Sequence, residues 1–264
     1  MTDKIQEILN EIEVGHNVKV LFACESGSRA WGFDSRDSDF DVRFIYVREP
    51  TTYLNIFEPK RDVIEVVDKT YDLDIVGWDL KKALQLFHKS NPSLMEWLNT
   101  EIVYRNIWNF QERLRELAQK YHSPTVMCYH YLHMAKGNYR EYLKSSHVWL
   151  KKYLYVLRPI LAIRWLEEGN GLIPMRFEDL LYCLNPDATL RQDIEDLIKR
   201  KREGFENKYG FRIDSINRFI ESEIERHELN HFVKLKPKSD IDTLNDLFKF
   251  YLSLYEEYLK SSTT

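Results

Sequence analysis

Ile5, Ile8, Leu9 and Ile12 recur at helical spacing, and the pattern predicts an N-terminal helix that Gly15-His16 brings to an end. The period then shortens to two. Val18, Val20 and Phe22 alternate as a strand does. A polar stretch without periodicity, Glu25 to Ser38, separates this strand from a second over Asp39 to Val47. Polar and apolar positions alternate there as far as Arg43. Val63 to Val67 and Asp72 to Trp78 predict two further strands. Asp79 reads as the N-cap of a helix carrying Leu80, Ala83, Leu84 and Phe87. Asn91-Pro92 opens a short helix by the same logic, a capping side chain followed by proline at the first helical position.

From Ile107 onward the pattern is almost wholly helical, with helices expected near 124–143, 147–168, 190–202, 213–225 and 241–259. The order of elements predicts an α+β fold, a mixed sheet with helices followed by an all-α C-terminal domain. The change of pattern across residues 105–122 puts the expected boundary at 110, giving domains 1–110 and 111–264.

Composition narrows the class without choosing a function. With 44% hydrophobic and 30% charged residues in 264, the chain reads as ordinary globular protein. A net charge of -4 removes any global basic field, while 38 Lys and Arg leave enough for a local basic cleft. No apolar run approaches the ~20 residues that span a bilayer, and the N-terminus lacks a signal-peptide core, so no membrane association is expected. Cys24, Cys128 and Cys183 are scattered, which fits a reducing cytoplasm and neither a disulfide framework nor a zinc site.

The chemistry lies between Gly27 and Asp41. Gly27-Ser28 closes a strand, where glycine lets backbone N–H groups approach an anion and serine adds a hydroxyl. Asp39 and Asp41 follow at i and i+2 on a strand, so both project from one face. Two carboxylates so placed repel each other unless a cation joins them, and hard oxygen ligands of this kind suit Mg²⁺ or Mn²⁺. Two such metals ~3.5–4 Å apart can activate a hydroxyl and steady a leaving pyrophosphate. Asp74 is the best candidate for the third carboxylate, in competition with Asp72 on the same expected strand face and with Asp79, which is better explained as a cap. Arg43 continues the Asp39-Asp41 face and could contact phosphate, pair with a carboxylate or be solvated. Lys151, Tyr155 and Arg158 share a helix face by i, i+4, i+7 spacing and could serve a triphosphate, although a charged helix face is commonly just solvated.

Gly-Ser, a spacer, Asp-x-Asp and a later strand Asp together resemble the DNA polymerase β-like nucleotidyltransferase superfamily. The longer strings narrow this further. Gly-Ser-Arg-Ala-Trp-Gly (27–32), Ser-Asp-Phe-Asp-Val-Arg (38–43), Asp74 to Leu80, Asn91 to Leu98 and Tyr155-Val-Leu-Arg-Pro159 are similar to the nucleotidyltransferases associated with bacterial and phage RNA-repair pathways. The resemblance implies a minimal nucleotidyltransferase fold. It implies that Gly27 and Ser28 hold the triphosphate, that Asp39 and Asp41 bind metal, and that Asp74 activates the acceptor hydroxyl. The expected reaction is transfer of a nucleoside monophosphate from an NTP to a hydroxyl, with an RNA end as one acceptor. The alternatives are a protein or small-molecule hydroxyl, or a non-catalytic module that binds nucleotide or RNA.

Overall fold

The computed structural model describes residues 1–57, 61–184, 188–204, 209–229, 232 and 240–262. The chain forms two compact units. One comprises Met1–Gly27, Asp39–Tyr121 and Lys238–Thr264, the other Ser28–Ser38 and His122–Pro237. This is not a single cut at residue 110, because the loop after Gly27 belongs with the helices and the last segment returns to the sheet.

The first unit is built on a five-stranded mixed sheet of order β3-β4-β2-β1-β5. Its strands are β1 (Val18–Ser26), β2 (Phe40–Arg48), β3 (Val63–Asp68), β4 (Leu73–Asp79) and β5 (Val103–Asn106). β2 and β4 run parallel, while the other neighbours are antiparallel. Helix α1 (Thr2–His16) puts its expected stripe, Ile5, Ile8, Leu9 and Ile12, into a core with Val42, Phe44, Tyr46, Leu73 and Ile75. Gly77 continues that row opposite Phe44, where a β-carbon would lie 2.1 Å from the ring. A full-sized aromatic on one parallel strand therefore demands glycine on the other.

Alternation sends Asp41, Arg43, Asp74 and Val76 to the opposite face. The remaining helices of this unit are α3 (Leu80–His88), α4 (Pro92–Leu98), α5 (Phe110–Tyr121) and α11 (Ile241–Ser262). Asp79 caps α3, its side chain accepting from the Lys81 N–H at 2.9 Å, and Asn91 caps α4 by accepting from Leu94 N–H at 3.1 Å. Trp97 of α4 lies on Trp78 with ring centroids 4.0 Å apart. α11 returns to this unit because its aromatic side packs there, Tyr251 on Phe110 and Phe248 on Tyr53.

The second unit holds α2 (Gly27–Trp31, its first residue counted with the sheet), α6 (Pro124–Tyr142), α7 (Lys151–Glu167), α8 (Phe177–Leu180), α9 (Ala188–Arg202) and α10 (Asp214–Leu229). The all-helical expectation needs one addition, a two-stranded ribbon of β6 (His147–Trp149) and β7 (Tyr209–Phe211). The helix expected from residue 147 accordingly begins at Lys151 and continues through Pro159. Among the described residues no helix is long and apolar enough to cross a membrane.

Candidate active site

Asp41 and Asp74 are register partners on the parallel strands β2 and β4, so their side chains leave the same face side by side. Asp39 precedes the first residue of β2 and is exposed. Asp72 stands outside β4, in a left-handed turn with φ 51°, so the strand face it was expected to share is carried by Asp74 alone.

Two residues before the Asp-x-Asp segment set the position of Asp41. Gly27 has φ +62°, and a β-carbon there would come within 2.0 Å of Asp41 Oδ2 and 2.8 Å of its Cγ. Glycine is thus required on two counts, its left-handed backbone and the carboxylate pressed against it. Glu25 is the second. It is wholly buried at the end of β1, accepts the Asp41 N–H at 2.8 Å through Oε1, and receives the Tyr104 hydroxyl on Oε2. The sequence pattern passes over Glu25. Its only signal is an acidic residue directly after the apolar run Val20–Cys24, in a strand buried on both faces.

Arg43 joins the carboxylates. Its Nη2 donates to Asp41 Oδ1 at 3.1 Å and to Asp74 Oδ2 at 2.9 Å, while Nη1 donates to the Val42 and Asp74 carbonyls. Of the three roles open to Arg43, carboxylate pairing is the one it takes here. The Asp41 carboxyl nevertheless sits above its ordinary value, first because it is buried. The Arg43 charge opposes that shift, and the nearby charges of Asp74 and Asp39 add to it.

Among the described residues no three His, Cys, Asp or Glu side chains stand together as a ready metal cage. The donor chemistry of Asp39, Asp41 and Asp74 still fits a hard divalent cation. All are carboxylates, two leave neighbouring strands in register, and Asp74 and Asp39 each act on Asp41 as like charges.

In the helical unit Ser28 is buried, and its carbonyl accepts from Phe33 N–H at 3.2 Å. The 28–38 segment is held by side chains of α9. Lys201 donates to Ser38 Oγ at 3.1 Å and Arg202 to the Gly32 carbonyl at 2.6 Å. Tyr155 and Arg158 converge on Trp31 of that segment, Tyr155 edge-on at 5.6 Å and the Arg158 guanidinium 4.9 Å from the ring centre. Arg158 is buried and donates to the Pro174 and Met175 carbonyls. Lys151 turns elsewhere, with Nζ 4.8 Å from the Trp149 ring centre.

The sequence profile of the RNA repair pathway DNA polymerase beta family (RlaP) matches residues 1–249. The chain belongs to that family. The protein called uncharacterized protein YcgL in Bacillus subtilis strain 168 is 45% identical over 262 residues, covering 98% of each chain. A crystal structure of a nucleotidyltransferase-like protein from Exiguobacterium sibiricum 255-15 is similar at 12% identity, over 99% of this chain and 92% of that one. Its TM-score of 0.33 marks a likeness too loose to carry structural detail across.

Proposed function

We propose that the protein transfers a nucleoside monophosphate from an NTP to a hydroxyl and releases pyrophosphate. The observation that supports this reading most directly is the pair Asp41 and Asp74, in register on one sheet face with Asp39 near them. Asp39, Asp41 and Asp74 would hold Mg²⁺ or Mn²⁺, which when bound supplies charge neutralisation and polarises the phosphate oxygens. Gly27 and Ser28 contribute backbone N–H and hydroxyl donors to the triphosphate. Asp74 accepts the proton of the incoming hydroxyl as its oxygen bonds to the α-phosphorus. The bond from that phosphorus to the β-phosphate oxygen breaks, and pyrophosphate departs. Arg43 offsets part of the carboxylate charge while no substrate is bound.

An RNA end is the favoured acceptor, because the family is one of RNA repair. The test is incubation with each labelled NTP and Mg²⁺ or Mn²⁺, separately with RNA, protein and small-molecule acceptors. Metal-dependent label on RNA is expected. Label on a protein or small molecule instead would move the acceptor class, and NTP binding without transfer to any acceptor would overturn the enzymatic reading.

A further inference from the structure

The ribbon of β6 and β7 presents its two faces very differently. Val148 on the inner face is fully buried, and Gly210 beside it is so tightly covered that a β-carbon would lie 3.0 Å from the Leu150 side chain. The pairing His147↔Phe211 and Trp149↔Tyr209 puts four rings together on the other face. His147 lies against Phe211 with centroids 4.5 Å apart, and Trp149 lies parallel to Tyr209 at 5.7 Å and 7°. Despite these contacts Tyr209 is 67% exposed and Phe211 76% exposed. Large rings gathered on a packed ribbon and left in water call for an occupant.

The charge around the rings says what kind. Lys151 Nζ lies 4.8 Å from the Trp149 ring centre, and Lys152 Nζ lies 4.2 Å from that of Tyr142 and 5.9 Å from that of Trp149. Lys144 is exposed just before the ribbon, and Arg212 follows Phe211 directly. The acids nearby among the described residues include Glu141, close to Tyr142 and Lys152, Asp214, which binds Arg212 at 2.9 Å, and Glu221, 4.0 Å from the same guanidinium. Burial and the adjacent Lys151 charge hold the Lys152 ammonium below its ordinary value, so positive charge is crowded beside the rings. Side chains two residues apart on a strand are spaced by about 7 Å, close to twice the ~3.4 Å rise of stacked bases, so bases can lie against successive rings.

We infer that the β6–β7 ribbon is a stacking platform for single-stranded RNA, its rings taking bases and its flanking lysines the backbone phosphates. Aromatic faces tolerate any base, and a lysine rim tracks phosphates, which is the pairing that sequence-tolerant single-strand binders use. The choice of RNA rests on the proposed function. The platform itself rests on the ribbon alone.

The experiment is fluorescence anisotropy with a labelled single-stranded oligoribonucleotide of about 12 nucleotides, a length within the span of single-strand-binding modules. The same sequence as DNA and as duplex RNA runs alongside. Tyr209→Ala and Phe211→Ala should each weaken single-strand RNA binding by about fivefold to a hundredfold, the range expected for losing one stacked base. Tyr209→Phe keeps the ring and should bind as the parent does. Lys144→Glu, at an exposed side chain, should weaken binding and flatten its salt dependence without disturbing the fold. Equal affinity for the DNA strand would show a platform that reads bases and phosphates without the 2′-hydroxyl, replacing RNA by single strands in general. Unchanged RNA affinity in both alanine variants would overturn the platform, as would variants that change only the sedimenting mass, which would mark a self-association face. Mg²⁺-dependent NTP binding, measured by calorimetry on the same proteins, should be unaltered. If NTP binding is absent while RNA binding follows the ribbon, the proposed transfer reaction fails and the platform stands.

Discussion

Replacing Gly27 by alanine tests whether the Gly-Ser turn exists to seat a carboxylate. Two costs can be separated. The backbone cost comes from a β-carbon at φ +62°, about 1–2 kcal/mol for a left-handed L-residue. The steric cost comes from Asp41, whose Oδ2, Cγ and Cβ would lie 2.0, 2.8 and 3.2 Å from the new methyl. Because Cγ collides as well as the oxygen, turning the carboxylate about its last bond does not relieve the clash. Asp41 must change χ1 and leave Arg43, or the backbone must shift, at about 1–3 kcal/mol for an overpacked site. The expected loss is therefore about 2–5 kcal/mol in urea unfolding. Gly169→Ala supplies the control, with φ +75° and nothing within 4 Å of the added methyl, so it should cost only the backbone share. Combining Gly27→Ala with Asp41→Ala removes the colliding carboxylate and should recover part of the loss, a coupling that a double-mutant cycle reads directly. With Asp41 displaced, label transfer from NTP should fall on the order of a hundredfold. A Gly27→Ala protein no less stable than Gly169→Ala, with parental metal-dependent NTP affinity, would refute the reasoning.

Asp74→Asn keeps shape but loses the charge that accepts a proton, so transfer should fall about a hundredfold or more while NTP affinity by calorimetry survives; near-normal transfer would remove Asp74 from the mechanism. Arg43→Gln leaves Asp41 and Asp74 facing each other and should cost about 1–3 kcal/mol without metal, discounted from a fully buried pair because Asp74 is 43% exposed. Mg²⁺ should then stabilise the variant more than the parent, and an equal response in paired urea melts would contradict this. Burial pushes the Glu223 carboxyl up, but hydrogen bonds and charge from Arg164 and Arg226 outweigh it and hold the carboxyl below its ordinary value of 4.5. A lowered folded value means that this stabilisation is complete above pH 4.5 and lost as pH falls through the folded value. Glu223→Gln should be less stable at neutral pH by about 3 kcal/mol and should show a shallower acid transition, both read by melts from neutral pH downward.

What the sequence disclosed about this fold was local. β1, β2 and β4 are legible because alternation over several residues distinguishes a strand, and Asp79 and Asn91 because a cap is written within a few positions. Three-residue strands such as His147–Trp149 show no period of their own. They become strands only through a partner some sixty residues away, which no window reveals. The assignment of the 28–38 loop to the helices depends on Lys201 and Arg202, and the return of α11 on rings meeting Tyr53 and Phe110. At the carboxylates period two puts Asp74 on the face of its strand register partner Asp41, while Asp39, expected on the same strand face, stands just before β2. The parts played by Glu25 and Arg43 could not be read from the sequence, since each is defined by a bond to a residue on another strand.

The carboxylate face is poorly explained as a device for stability. Like charges directly opposite one another on neighbouring strands are destabilising, and Asp41 and Asp74 occupy such positions. The buried Glu25 adds another acid behind them, accepting the Asp41 N–H and the Tyr104 hydroxyl. Among the described residues Arg43 is the side chain paired with both strand carboxylates, and the Asp41 carboxyl is still raised toward protonation, first by burial and then by the charges of Asp74 and Asp39. Asparagine at 41 would fit the same space without that repulsion. A surface that keeps charge at a cost to its own fold supports the proposed divalent cation, which Asp39, Asp41 and Asp74 would hold.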